Sequence, residues 1–316
     1  MTRGTARDHG GGLDAARARW GGAADDWIDL STGINPEPYP LPPLTPRDWQ
    51  TLPDHGAQDA LIAAARRFWW VPDDAGILAA PGASALIARM PLLAPAGPVH
   101  IPGPTYNEHA AAFRAHGRDI VETRAADPPS LVVVSPNNPD GRLWTPPEVL
   151  PRFLVVDESF ADVAPGSGIV ELTRAPGRIV LKSFGKFWGL AGLRLGFAIG
   201  HPDTIAPLAE ALGPWPVAGP ALRIGTAALS DTAWAEATRV RLRADRARLD
   251  ALMAPHGRLV GGTDLFRLYD VGDAEAVRDR LAARHIHVRI FPYSERWLRL
   301  GLPPAGGWAR LEAALS

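Results

Sequence analysis

Short apolar runs punctuate the first two-thirds of the chain. Residues 77–80, 131–134, 153–156, 179–181 and 195–199 are apolar, and the runs Leu131-Val132-Val133-Val134 and Phe153-Leu154-Val155-Val156 are unbroken. Unbroken apolar runs of that length fit strands buried on both faces, as in a parallel sheet. Residues 99–101 read as another strand, and 59–68, 85–93 and 108–116 as helices. Short strands alternating with helices predict an α/β sheet covered on both sides. Residues 231–253 form one long helical pattern, with Arg239, Arg241, Arg243, Arg246 and Arg248 spaced for a solvated face. Past His256 the pattern changes to strands over 266–269, 287–291 and 297–300 with a helix over 274–285. The expected organisation is an N-terminal arm over 1–45, poor in periodicity, a large domain over 46–235 and a small α+β domain over 236–316, against which the arm packs.

Composition narrows the function. With 316 residues, 46% hydrophobic and 21% charged, the chain is an ordinary globular one. Its 33 basic residues balance 34 acidic ones, which argues against a polycation built for nucleic acid. It has no cysteine, which removes disulfides, iron–sulfur clusters, thiolate zinc and a cysteine nucleophile. The most apolar long stretch, 77–101, is broken by Pro81, Gly82, Arg89, Pro91, Pro95 and Pro98. A spanning helix needs ~20 apolar residues with few breaks. Residues 1–12 lack the apolar segment of an export signal. No membrane partner and a cytoplasmic location are therefore expected. Gly10-Gly11-Gly12 follows no strand, so a dinucleotide loop is discarded. His285 and His287 find no third ligand in frame, and no metal is expected.

Five short motifs follow one another in order. Pro81-Gly82-Ala83-Ser84 is a strand-to-helix turn whose N–H groups and helix dipole suit a phosphate. Pro104-Thr105-Tyr106 offers an aromatic face after a strand. Ser135-Pro136-Asn137-Asn138-Pro139-Asp140-Gly141 follows the run Leu131–Val134. Val155-Val156-Asp157-Glu158-Ser159-Phe160 puts an acid at a buried strand end. The last is Ser183-Phe184-Gly185-Lys186-Phe187-Trp188-Gly189-Leu190-Ala191-Gly192-Leu193-Arg194. Taken singly, these are turns, a helix cap and a surface lysine as readily as a site.

As an ordered set they resemble the fold-type I pyridoxal-phosphate enzymes, in particular their histidinol-phosphate aminotransferase-like branch, over residues 30–301 or so. The resemblance implies a large domain with a mostly parallel sheet covered by helices, a smaller α+β domain, a homodimer and pyridoxal 5'-phosphate as cofactor. It makes Lys186 the lysine that holds the cofactor's aldehyde and Asp157 the carboxylate that keeps its ring nitrogen protonated. Lys182 is a nearby competitor without the downstream Gly-Leu-Arg frame. Ser183, Arg194 and the N–H groups around Gly82, Ala83 and Ser84 correspond to the phosphate ligands. Tyr106 corresponds to the stacking aromatic, and Asn138 to the side chain bonding the ring oxygen.

The N-terminal segments Asp8-His9-Gly10-Gly11 and Ser31-Thr32-Gly33-Ile34-Asn35-Pro36 are similar to those of the threonine-phosphate decarboxylases of cobalamin biosynthesis. Phe160 agrees, since the aminotransferases usually have a tyrosine there. The resemblance then implies a phosphorylated amino acid as substrate, bound by His9, Gly33, Asn35, Asn138, Arg289 and Arg299. Arg299 would take the carboxylate and Arg289 the phosphate. Release of CO₂ from L-threonine O-3-phosphate is the expected reaction. Transamination of histidinol phosphate or a related compound, and cofactor binding without catalysis, are the alternatives. The chain departs from the pattern at Leu52-Pro53-Asp54, where relatives often have Tyr-Pro-Asp reaching the neighbouring subunit's cofactor.

Overall fold

The computed structural model describes residues 9–123, 129–166 and 169–316. Asp8, from the expected His-Gly-Gly segment, lies outside them. The N-terminal segment holds more regular structure than its pattern predicts: a helix, Leu13–Trp20, and a two-residue strand, β1 (Ile28–Asp29). The helix buries little besides Ala16, so no apolar stripe announces it.

Two compact units divide the chain, one of residues 38–138 and 142–239, the other of 9–37, 139–141 and 240–316. The larger is built on seven strands: β2 (Gly76–Ala80), β3 (Val99–His100), β4 (Ile120–Val121), β5 (Ser130–Val134), β6 (Phe153–Asp157), β7 (Arg178–Ser183) and β8 (Gly196–Gly200). Their order across the sheet is β2-β8-β7-β6-β5-β3-β4. Every pairing is parallel except those of β8, which runs against both β2 and β7. All residues of β5, β6 and β8 are buried, as the unbroken apolar runs require. One face packs Val132, Val155, Ile179 and Leu181 against Leu86, Met90 and Phe113.

The helix expected over 85–93 is two pieces, Ala83–Ile87 and Met90–Leu93. Pro91, in the first turn of the second piece, has no N–H to continue the ladder. The arginines of Thr232–Met253 are not all solvated. Arg239 is 6% exposed, with its guanidinium over the rings of Phe68 and Phe187.

The smaller unit pairs β9 (Arg258–Gly262), β10 (Phe266–Asp270), β12 (Arg289–Phe291) and β13 (Ser294–Gly301) in an antiparallel sheet of order β12-β13-β10-β9. The strand expected over 287–291 is split. β11 (Ile286–His287) leaves this sheet and pairs in parallel with β1. The helix before it, Ala274–Ala282, stops three residues short of its expected end, and His285 turns the chain at φ 56°. Helices Pro202–Leu212, Gly219–Ser230 and Trp308–Leu315 had no counterpart in the sequence reading. Among the described residues no helix is long and apolar enough to cross a membrane.

Candidate active site

Open α/β sheets bind ligands at the carboxyl ends of their parallel strands. Here those ends deliver Gly82 after β2, Tyr106 after β3, Asn138 after β5, Asp157 at the tip of β6, and Ser183 and Lys186 at and after β7. Arg194 enters from the start of the antiparallel β8. One cavity is lined by all of them together with Ala83, Ser84, Ser159 and Phe160. Every residue expected to contact the cofactor is thus brought to a single place within the larger unit.

Asp157 is 2% exposed. Burial alone would push its carboxyl up. Hydrogen bonds outweigh burial and hold it below the usual carboxylate range. His109 Nε2 donates to Oδ2 at 2.9 Å, while the Ser159 N–H and hydroxyl donate to Oδ1 at 2.9 and 2.5 Å. The proton is placed on Nε2 because an ionised carboxylate can only accept. The sequence reading missed His109. It lies three residues beyond Tyr106, on the buried side of Asn107–Ala115 with Ala112 and Phe113, where a histidine reads as core.

Of the groups expected at the phosphate, Arg194 and the turn over Gly82, Ala83 and Ser84 line the same cavity. Ala83–Ile87 is too short to carry much of a dipole, and the cationic charge there comes from Arg194. Gly82 stands at φ 87°, and a Cβ on it would lie 2.6 Å from Arg194 Nη2. The missing side chain therefore makes room for the guanidinium beside the turn. Arg194 Nη1 donates to the Ala191 carbonyl at 3.0 Å, which fixes the approach. An anion pocket, an ionised buried carboxylate and a primary amine in one cavity fit pyridoxal phosphate.

Lys186 Nζ lies 5.3 Å from the centre of the Phe160 ring. Its neighbour Trp188 is stacked between Phe184 and Trp234 at 5.0 and 5.3 Å, which anchors the loop. Lys182 does not line this cavity. It is buried and paired with Glu158 at 2.6 Å. Of the 33 basic residues these two are the only lysines, a signal that the motif reading did not use.

The expected substrate residues other than Asn138 belong to the smaller unit. Arg289 and Arg299 are direct cross-strand partners on β12 and β13. Burial first, and then the like charge of Arg289, push Arg299 down to about 10. Arg299 donates from Nη2 to the Ser31 carbonyl. Ser31 Oγ in turn accepts the Gly11 N–H at 2.7 Å. Asn35 is buried, and its Oδ1 accepts from Arg241 Nη2 at 2.7 Å, a second arginine that the solvated-face reading overlooked. Gly33 is buried at φ 64°, and His9 is exposed.

The Aminotransferase class I and II family model matches residues 44–316. A threonine-phosphate decarboxylase from Sinorhizobium sp is 42% identical over 330 residues, spanning 98% of this chain and 97% of that protein. One from Pseudomonas aeruginosa is 41% identical over 327 residues, again spanning 98% and 97%. Among solved structures, a histidinol-phosphate aminotransferase from Sinorhizobium meliloti in complex with pyridoxal-5'-phosphate superposes with a TM-score of 0.80 at 22% identity, covering 100% of this chain and 97% of that one. An L-threonine-O-3-phosphate decarboxylase from Porphyromonas gingivalis gives 0.74 at 17%, covering 90% and 97%. Those two likenesses concern the fold. With the family model spanning most of its length, the chain belongs to the class I and II aminotransferase family.

Proposed function

We propose that the protein is a pyridoxal-phosphate enzyme that decarboxylates L-threonine O-3-phosphate to (R)-1-amino-2-propanol O-2-phosphate in cobalamin biosynthesis. The observation that carries the chemistry is the convergence of Lys186, Asp157 with its His109 support, and Arg194 on one cavity. The choice of substrate follows the names of relatives at 41–42% identity over nearly the whole chain.

Bound pyridoxal phosphate supplies a conjugated cationic ring able to accept the electron pair of a bond broken at the substrate Cα. The residues do the rest. Asp157, kept ionised by His109 and Ser159, holds a proton on the ring nitrogen. Arg194, Ser183 and Ser84 bind the cofactor phosphate, Tyr106 orients the ring by stacking, and Asn138 bonds the ring oxygen. Phe160 gives that oxygen no hydroxyl. Lys186 Nζ anchors the cofactor and, once released, delivers a proton to Cα. Arg299 would bind the substrate carboxylate and Arg289 the substrate phosphate, with Asn35, Gly33 and His9 as further substrate contacts. Contacts with the two anions of the substrate would select the bond that breaks at Cα, remote binding used for orientation. The enzyme works as a cytoplasmic homodimer in this reading.

The test is product analysis. Holoenzyme with threonine phosphate and no 2-oxo acid should release CO₂ over many turnovers. Stoichiometric amination of the cofactor without CO₂ would make the protein an aminotransferase.

A further inference from the structure

A second cavity of about 160 Å³ lies in the larger unit. Phe68, Trp69 and Trp70, at the end of the helix His55–Phe68, form its aromatic side, and Asp162, Lys182 and Arg239 its polar side. Adjacent residues of a strand project to opposite faces. Ser183 lines the first cavity and Lys182 the second. Likewise Phe160 lines the first, while Ala161 and Asp162 line the second. None of the second set takes part in the reaction derived above.

Hydrogen-bond capacity is uneven in this cavity. The acceptors are engaged: Asp162 Oδ1 takes the Trp69 indole N–H at 2.8 Å, and Oδ2 that of Trp188 at 3.2 Å. Arg239 is engaged as well, donating to the Asp162 carbonyl and to Glu236, each at 2.8 Å. Glu171, at the rim, is taken by Arg174 at 2.9 Å. Lys182 differs. Its ammonium has three donors. Its carboxylate neighbours are Glu158 at 2.6 Å and Asp162 at 4.0 Å, the latter beyond hydrogen-bond reach. A guest would therefore have to be an acceptor.

Two further observations mark the place. The chain meets nearly every need for a cation with arginine, yet keeps a lysine here and at position 186 alone. Trp70 occupies the left-handed position that ends a helix, at φ 50°. The Trp70 N–H meets the Arg67 carbonyl at 3.4 Å, and the Val71 N–H meets that of Arg66 at 3.0 Å. Glycine is usual at that position because a side chain there is strained. Here a large ring, 71% exposed, is retained beside the cavity.

We propose that this cavity binds a small aromatic carboxylate, one ring in size. A cavity of about 150 Å³ accommodates benzene. The ring would pack among Phe68, Trp69 and Trp70, and the carboxylate would accept from Lys182 Nζ.

Having just two lysines makes the test direct. Holoenzyme labelled with isotope at the lysine side chains gives two signals, which Lys182→Arg assigns. Benzoate is the probe. The Lys182 signal should shift saturably while the Lys186 signal stays, and Trp70→Ala should weaken binding about tenfold, the loss of one ring contact. An unmoved Lys182 signal, a shift confined to Lys186, or an affinity indifferent to Trp70→Ala would each overturn the proposal.

Discussion

Asp157 keeps its charge where burial opposes it, and the margin comes from three donated hydrogen bonds. Its folded pKa is depressed, so its contribution to stability is complete above the unfolded carboxylate value of about 4. That contribution is lost as pH falls through the lower folded value. His109→Ala removes one donor and lets burial regain ground. The carboxyl should rise, the acid limb of the pH–rate profile should move to higher pH, and the holoenzyme should lose about 1.5–3 kcal/mol at neutral pH. Urea denaturation together with the pH–rate profile checks this. A profile that does not move would deny His109 its part in holding Asp157 ionised. The same scale explains why the motif reading found Asp157 and not His109. An acid ending an apolar run is conspicuous, whereas a histidine on the apolar face of a helix is chemically silent until its partner is known.

The elements divide by how they meet the core. β5 and β6 were legible because strands buried on both faces must be apolar throughout. β11 and β12 were read as one because Val288 continues the alternation of Ile286 and Ile290, and only tertiary pairing sends Ile286–His287 to β1 and Arg289–Phe291 to β13. Helix Thr232–Met253 shows the opposite error. Its spacing gave the element correctly, but five arginines suggested water on a side where Arg239 is enclosed by Phe68, Phe187 and the Asp162 carbonyl. Long arginine stems bury readily when the head finds partners. Arg239→Met should therefore cost about 1–3 kcal/mol through the stranded Asp162 carbonyl, while Glu236, exposed to water, loses little. Denaturation of the holoenzyme measures it, and a change within about 0.5 kcal/mol, as at an ordinary surface site, would restore the solvated-face reading.

Across the whole molecule, the residues that line the larger unit's cavity were legible as an ordered set of loops at strand ends, each weak alone. The expected substrate residues came from resemblance alone, and the structure adds that Arg289 and Arg299 are cross-strand neighbours whose like charges favour a bound anion. Arg289→Ala should lower kcat/KM for threonine phosphate roughly tenfold to a hundredfold, the worth of a charge-assisted contact, and leave threonine nearly unaffected. Equal losses on the two substrates would move the phosphate site elsewhere. The central claim is that the bond broken at Cα is the one to the carboxylate. Turnover of threonine phosphate in deuterium oxide, followed by proton NMR, tests it most directly. The account predicts an aminopropanol phosphate whose former Cα keeps its original hydrogen and gains one solvent deuteron. Loss of the original Cα hydrogen, with a 2-oxo acid as product, would contradict it.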